Sequence, residues 1–297
     1  MPPMDRVVTI GELRSRLDAV RSDGATVGLV PTMGHLHDGH VSLARAAAGS
    51  CDHVAMTIFV NPLQFAPDED LTTYPRDPDG DALRATSAGV HTLFLPSEEE
   101  MYPDGRDHVL AGVAVPALSS VMEGASRRTH FGGVCTVVAK LFNIVGPCRA
   151  YFGEKDYQQL AIVRRMVQDL SFPVDVVACP VVREPDGLAM SSRNAYLSDD
   201  ERLVAPVLYR SLALGAAAVR DGLEDADALR SLMAAEIDAA PLGELDYVEV
   251  ADPDTLVPLG RADERSRLFG AVRFGRARLI DNLAVGESTG RSEAAPG

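Results

Sequence analysis

At 297 residues, with 43 acidic against 28 basic side chains and a formal net charge of −15, the chain lacks the clustered Lys and Arg that neutralise a nucleic-acid backbone. Its 46% hydrophobic content is ordinary for a globular protein, and its length suits one large domain with a smaller one. No stretch approaches the roughly 20 apolar residues that span a bilayer. The opening Met1-Pro2-Pro3-Met4-Asp5-Arg6 lacks a basic-then-apolar leader, so a cytoplasmic protein with neither membrane nor nucleic-acid partners is expected.

In chain order, Leu13, Leu17 and Val20 mark an amphipathic helix over 11–21 that stops before Ser22-Asp23-Gly24. Buried strands are expected at 26–30, 54–60, 90–95, 150–152 and 174–182, and helices at 39–48, 79–86, 134–145 and 157–170. Strands alternating with helices imply an α/β fold, a Rossmann-like doubly wound parallel sheet covered on both faces. Beyond 183–194, Ser198 and Glu201 have capping-box spacing and open an Ala- and Leu-rich helix to about Arg220. A second helix over 226–239 and short strands at 245–250, 267–272 and 276–280 complete a smaller C-terminal α+β domain. The expected division is 1–184 for the catalytic domain, 185–284 for a lid domain and 285–297 for a disordered polar tail. Cys51, Cys135, Cys148 and Cys179 show no C-x-x-C spacing and are expected to be free, buried thiols.

The first strand is followed by Met33-Gly34-His35-Leu36-His37-Asp38-Gly39-His40, an H-x-G-H box at a helix start. The first N–H groups of a helix have no intrahelical partner and carry the positive end of its dipole, so a phosphate is readily received there. Gly39 is expected to let a nucleotide approach the backbone. His37 and His40, three apart, turn both imidazoles toward one ligand, where protonated or donor rings would stabilise charge developing on an α-phosphate. An isolated pair of histidines is more often mere surface; the position directly after a strand favours the functional reading.

In a parallel sheet, ligands bind beyond the carboxyl ends of the strands. Four polar clusters fall there: Thr32 to His40, Asn61 with Gln64, Gly153-Glu154-Lys155-Asp156, and Met190-Ser191-Ser192-Arg193. Lys155 is a compact charge suited to a transferring phosphate. Asp156 fits either a ribose hydroxyl or a helix cap. Ser191, Ser192 and Arg193 offer hydroxyls and a donor fork to a departing pyrophosphate, though a solvated turn reads the same way. The amides of Gln64 and Gln159 suit a hydroxyl or a carboxylate that must stay nucleophilic. Asp79 and Asp81 are weaker candidates for Mg²⁺ carried in by a nucleotide, since acids at a helix start are common for dipole reasons alone.

Pro31-Thr32-Met33-Gly34, His37-x-Gly39-His40, Phe59-Val60-Asn61-Pro62-x-Gln64-Phe65, Tyr74-Pro75-Arg76, Arg127-x-Thr129-His130-Phe131, Phe152 to Leu160 and Gly187 to Asn194 together resemble the pantothenate synthetase (pantoate–beta-alanine ligase) family. The resemblance runs from about residue 26 to 282; H-x-G-H alone would indicate only the wider nucleotidyltransferase superfamily. It implies ATP-dependent condensation of (R)-pantoate with beta-alanine through a pantoyl-adenylate, giving pantothenate, AMP and pyrophosphate, with Mg²⁺ and a homodimer. It also implies that Met33, Gly34, His35, Leu36, His37, Asp38, Gly39 and His40 contact ATP, with His40 the acid-type catalytic residue beside His37 and Lys155. Gly153, Glu154, Lys155, Asp156, Val182, Met190, Ser191, Ser192 and Arg193 would complete the ATP site; Gln64 would touch pantoate and beta-alanine, and Gln159 pantoate. Two positions depart from the family pattern: His35 stands where Ala is usual, and Arg128 replaces a Pro that would fix φ. The rival expectations are an adenylyltransferase acting on another small acceptor, a metal-dependent hydrolase using His35, His37 and His40, and a silent nucleotide-binding module.

Overall fold

Short apolar runs bounded by Gly, Pro and Asx residues fold as strands here, and each longer 3.6-period run between them folds as a helix. The computed structural model describes residues 4–67, 69 and 71–286. In the first part of the chain these elements are β1 (Asp5–Val7), α1 (Ile10–Ser22), β2 (Val27–Thr32), α2 (Asp38–Ala48), β3 (His53–Ile58), α3 (Pro78–Ser87) and β4 (Thr92–Phe94). They are followed by α4 (Glu98–Met101), α5 (Glu123–Ser126), α6 (His130–Val145), β5 (Cys148–Gly153), α7 (Tyr157–Leu170) and β6 (Val174–Cys179). The second part contains α8 (Asp199–Val204), α9 (Val207–Arg220), α10 (Ala226–Asp238), β7 (Glu244–Ala251), β8 (Arg267–Phe274) and β9 (Ala277–Ala284).

The chain divides into two units, one of residues 1–182 with 190–192 and the other of 183–189 with 193–297. In the first, six parallel strands lie in the order β1-β4-β3-β2-β5-β6. From β2 the sheet grows one way through β3 and β4, then resumes on the other side with β5 and β6. The order therefore reverses between β2 and β5, the kind of switch point beyond whose strand ends ligands bind in such sheets. Val30, Val54, Met56, Leu93, Val41, Ala44 and Ala47 form part of one core, with α2 laid on the sheet. Gly28 makes that approach close: a Cβ there would stand 3.2 Å from both Ala47 Cβ and Cys51 Sγ. Cys51, Cys135, Cys148 and Cys179 are free thiols, Cys148 half-buried and the others buried.

In the second unit β7, β8 and β9 form an antiparallel sheet, and Leu212, Ala216, Leu229 and Met233 from α9 and α10 share a core with Val250, Leu268 and Leu283. The 183–189 hairpin is fixed by Arg183, whose guanidinium grips Asp281 bidentately at 2.5 and 3.0 Å and stacks 4.1 Å from the Tyr209 ring.

Several boundaries differ from expectation. The strand expected to reach Val182 ends at Cys179, because Pro180 has no N–H for the ladder. The single helix expected to reach Arg220 breaks at Ala205-Pro206 for the same reason, although Ser198 and Glu201 do form the capping box. The run Asp199–Arg220 is long and apolar enough by composition to cross a membrane, contrary to the sequence reading, but half of its most apolar window is buried in the fold, as expected for a core helix. β1 has no counterpart among the expected strands, since three residues carry too little pattern to register. Of the expected tail, Val285 is buried and donates its N–H to Ser266 O at 3.0 Å; residues 287–297 lie outside the described residues.

Candidate active site

The loop leaving β2 is built to hold a tight left-handed path. Thr32 Oγ1 donates to Thr57 O at 2.7 Å and accepts the Gly34 N–H at 3.3 Å, tying the loop to β3. Gly34 (φ +88°) and His35 (φ +50°) are both left-handed, the second at a cost that a non-Gly residue bears only when its surroundings enforce it. The enforcing group is Asp81 of α3: its carboxylate accepts the N–H of His35 at 2.9 Å and of Leu36 at 2.6 Å. Asp81 is 3% exposed. Its carboxylate anchors the loop through both oxygens, a role that the weaker expectation of a magnesium ligand did not include. Asp79, also considered for magnesium, lies 3.8 Å from Arg6 at the surface.

At the start of α2 the two imidazoles lock each other. His37 Nδ1 accepts the Gly39 N–H at 3.1 Å, and His40 Nδ1 accepts the His37 N–H at 3.3 Å, a capping box made of histidines. Their ring centroids stand 4.1 Å apart. A backbone N–H can only donate, so Nδ1 is bare in both rings and Nε2 carries the proton. Burial, then the Lys155 ammonium, pulls His37 from the usual 6.5 to about 4. Burial, then neighbouring His37, pulls His40 to about 3. The pair is thus neutral, and of the two expected forms, protonated or donor, the geometry favours the second: both are Nε2–H donors. Gly39 also has a nearer reason than the one expected. A Cβ there would lie 2.8 Å from Cε1 and Nδ1 of His37, so the capping ring itself occupies the space.

Lys155 and Asp156 enter from the loop after β5, the other side of the switch point, and their charges act on both imidazoles, as does His35. Lys155 Nζ donates to Asp156 Oδ1 at 3.2 Å. Asp156 makes no side-chain cap on α7, which removes capping as its role. Gly153 and Glu154 complete this turn. Met190 reaches the same place, its Cβ 3.9 Å from where a Cβ on Gly39 would be, and its N–H donates to Val182 O at 3.0 Å. Ser191 and Ser192 follow it in the first unit, whereas Arg193 belongs to the second.

Gln64 is 7% exposed, and its Nε2 donates to Met33 Sδ at 2.9 Å, joining the loops after β2 and β3. Its backbone carbonyl accepts from His130 Nδ1 at 2.9 Å and Arg127 Nη2 at 3.4 Å. Arg127 is itself braced by a bidentate pair with Glu69, both bonds 2.6 Å. The sequence shows Arg127 and His130 within one motif, but their contacts with Gln64 and Glu69 join residues distant in the chain and gave no local signal. Gln159 is half-buried on α7, while Gln158 faces inward, donating to Leu118 O and Val121 O at 2.8 Å each. Arg128 is exposed. Among the described residues no group of three or more His, Cys, Asp or Glu side chains could hold a metal ion, which counts against a hydrolase built on His35, His37 and His40.

The family model described as Pantoate-beta-alanine ligase matches residues 5–284. Among relatives, a pantothenate synthetase of Moorella thermoacetica is 50% identical over 282 residues, covering 95% of this chain and 99% of its own length. Among solved structures, pantothenate synthetase from Thermus thermophilus superposes with a TM-score of 0.89 at 48% identity, over 95% of this chain and 99% of that one. Pantoate-beta-alanine ligase from Francisella tularensis, complexed with beta-gamma ATP and beta-alanine, gives 0.79 at 32% identity, over 96% and 99%.

Proposed function

This chain belongs to the pantoate-beta-alanine ligase family, and from that premise we propose how its residues divide the work. It is an enzyme that condenses pantoate with beta-alanine using ATP. In the proposed route a pantoate carboxylate oxygen attacks the α-phosphorus, and pyrophosphate leaves with the electron pair of the broken P–O bond. The beta-alanine amine then attacks the acyl carbon of the pantoyl-adenylate, loses a proton, and expels AMP with the bridging oxygen, giving pantothenate.

ATP is assigned to 33–40, 153–156, Val182 and 190–193, with the lid role of the second unit resting on the resemblance. The observation that carries the reading is the meeting of two neutral Nε2–H donors with the Lys155 charge across the β2/β5 switch. Such donors, fixed before substrate arrives, bind the charge that develops at the α-phosphate without reorganising. His40 and His37 act as hydrogen-bond donors and Lys155 as the fixed charge. Gln64 holds pantoate and beta-alanine, and Gln159 pantoate. Among the described residues no cluster of His, Cys, Asp or Glu forms a metal cage; on the resemblance, Mg²⁺ would come with the nucleotide and offset its phosphate charge. A homodimer in the cytoplasm completes the reading, on the resemblance.

The test is product analysis with ATP, pantoate and beta-alanine. AMP and pyrophosphate should appear, with pantothenate and steady turnover requiring both acids. ADP as product, or turnover indifferent to beta-alanine, would overturn the reading, the latter in favour of an adenylyltransferase.

A further inference from the structure

We propose that Tyr102 is a positioning residue that steadies the Gln64 amide with its Nε2 toward substrate, acting through Asn61. The inference rests on the reading that Gln64 holds pantoate.

The polarity of this relay is set by groups that cannot reverse. Asn61, 1% exposed, accepts at Oδ1 from the Leu63 N–H at 3.4 Å and donates from Nδ2 to Gly133 O at 3.1 Å. One partner is only a donor and the other only an acceptor, so the Asn61 amide has a single orientation. The Tyr102 phenol donates to the same Oδ1 at 2.7 Å, the shortest bond of the set. Asn61 Nδ2 then donates to Gln64 Oε1 at 3.1 Å. With Oε1 consumed, Gln64 turns Nε2 outward, where it reaches Met33 Sδ. A thioether is a weak acceptor; a pantoate oxygen would be a better one, and the outward amide is a donor as that ligand requires. α6 is held against this loop at Gly133, where a Cβ would collide with Leu63 O. The Tyr102 ring is packed independently of its hydroxyl, 6.0 Å from the Phe59 centroid and under the Lys140 ammonium at 5.5 Å.

Removing the hydroxyl therefore leaves the packing and the amide orientation in place but takes the shortest bond from Asn61 Oδ1, loosening the relay. The experiment is steady-state kinetics with pantoate varied at saturating ATP and beta-alanine, for Tyr102→Phe, Gln64→Ala and the double variant, with thermal melts of each. Tyr102→Phe should raise the KM for pantoate roughly five-fold, the scale of one buried hydrogen bond, with the KM for ATP unchanged. In the Gln64→Ala background the same substitution should alter that KM by no more than about two-fold, since effects through one relay do not add. A rise that persists undiminished in that background, or no rise in the single variant although Gln64→Ala raises the KM, overturns the relay alone. An unchanged pantoate KM in Gln64→Ala overturns the assignment of Gln64, and the relay with it.

Discussion

His37 and His40 are chemically unusual because each commits its Nδ1 to the backbone of the other's turn. The cost of keeping an imidazole without its second proton is small at neutral pH and grows as the medium becomes acidic. His37, His53 and His130 are held at about 4 and His40 at about 3, in each case with burial as the largest cause. A folded-state value below the unfolded one means that the unfolded chain binds more protons between the two, so stability rises with pH across that window. The expected outcome is a melting temperature that is flat above pH 7 and falls as the pH drops from about 6.5 toward 4. Melts from pH 5 to 8 check this; a protein more stable at pH 5 than at pH 7 would show the rings to be protonated in the fold. The spacing of the two histidines was legible in the sequence, since three residues is a local distance. Their protonation was not, because it depends on which nitrogen meets a backbone N–H. Tyr102 was invisible for a related reason: it lies 41 residues from its partner, and its neighbours Met101 and Pro103 carry no recognisable pattern.

At the scale of elements, α2 does two things at its first turn. It directs the positive end of its dipole toward the strand ends, its Gly39, His40 and Val41 N–H groups being taken by His37, and it carries the rings that cap it. Gly39 serves the second, which separates its role from helix propensity. Gly39→Ala should change stability by only about 1 kcal/mol in either direction, because the gain in helix propensity offsets a strained cap. Turnover should fall by roughly a hundred-fold, as a displaced imidazole misplaces its donor. Unfolding curves beside kcat measure both, and an alanine variant of parental activity would show that the ring does not need this seat. Long periodic elements were readable from pattern: α7 runs over the expected Tyr157–Leu170. Elements that tertiary pairing sustains, such as β1, a three-residue strand paired with β4, were not. Asp81 has a role that the local sequence could not show. Its position near a helix start suggested a metal, but its carboxylate is turned onto a loop 45 residues away, at Leu36.

Across the whole molecule, a net charge of −15 opposes the approach of a triphosphate, so in the proposed reading the anion is held by local features: a helix N-terminus, two neutral donors and Lys155, brought together by a strand order that reverses at β2 and β5. The loops at the rim were named from the sequence as following strand ends; that β2 and β5 are neighbours, so that the order reverses between them, came from the strand pairing. The central claim is that this rim activates a carboxylate by transferring it to the α-phosphorus. The most direct measurement uses pantoate labelled with oxygen-18 in its carboxylate and follows the label by mass spectrometry after turnover with ATP and beta-alanine. One labelled oxygen is expected in AMP, with the other retained in the amide carbonyl of pantothenate. Label in inorganic phosphate, or AMP free of label, would contradict it.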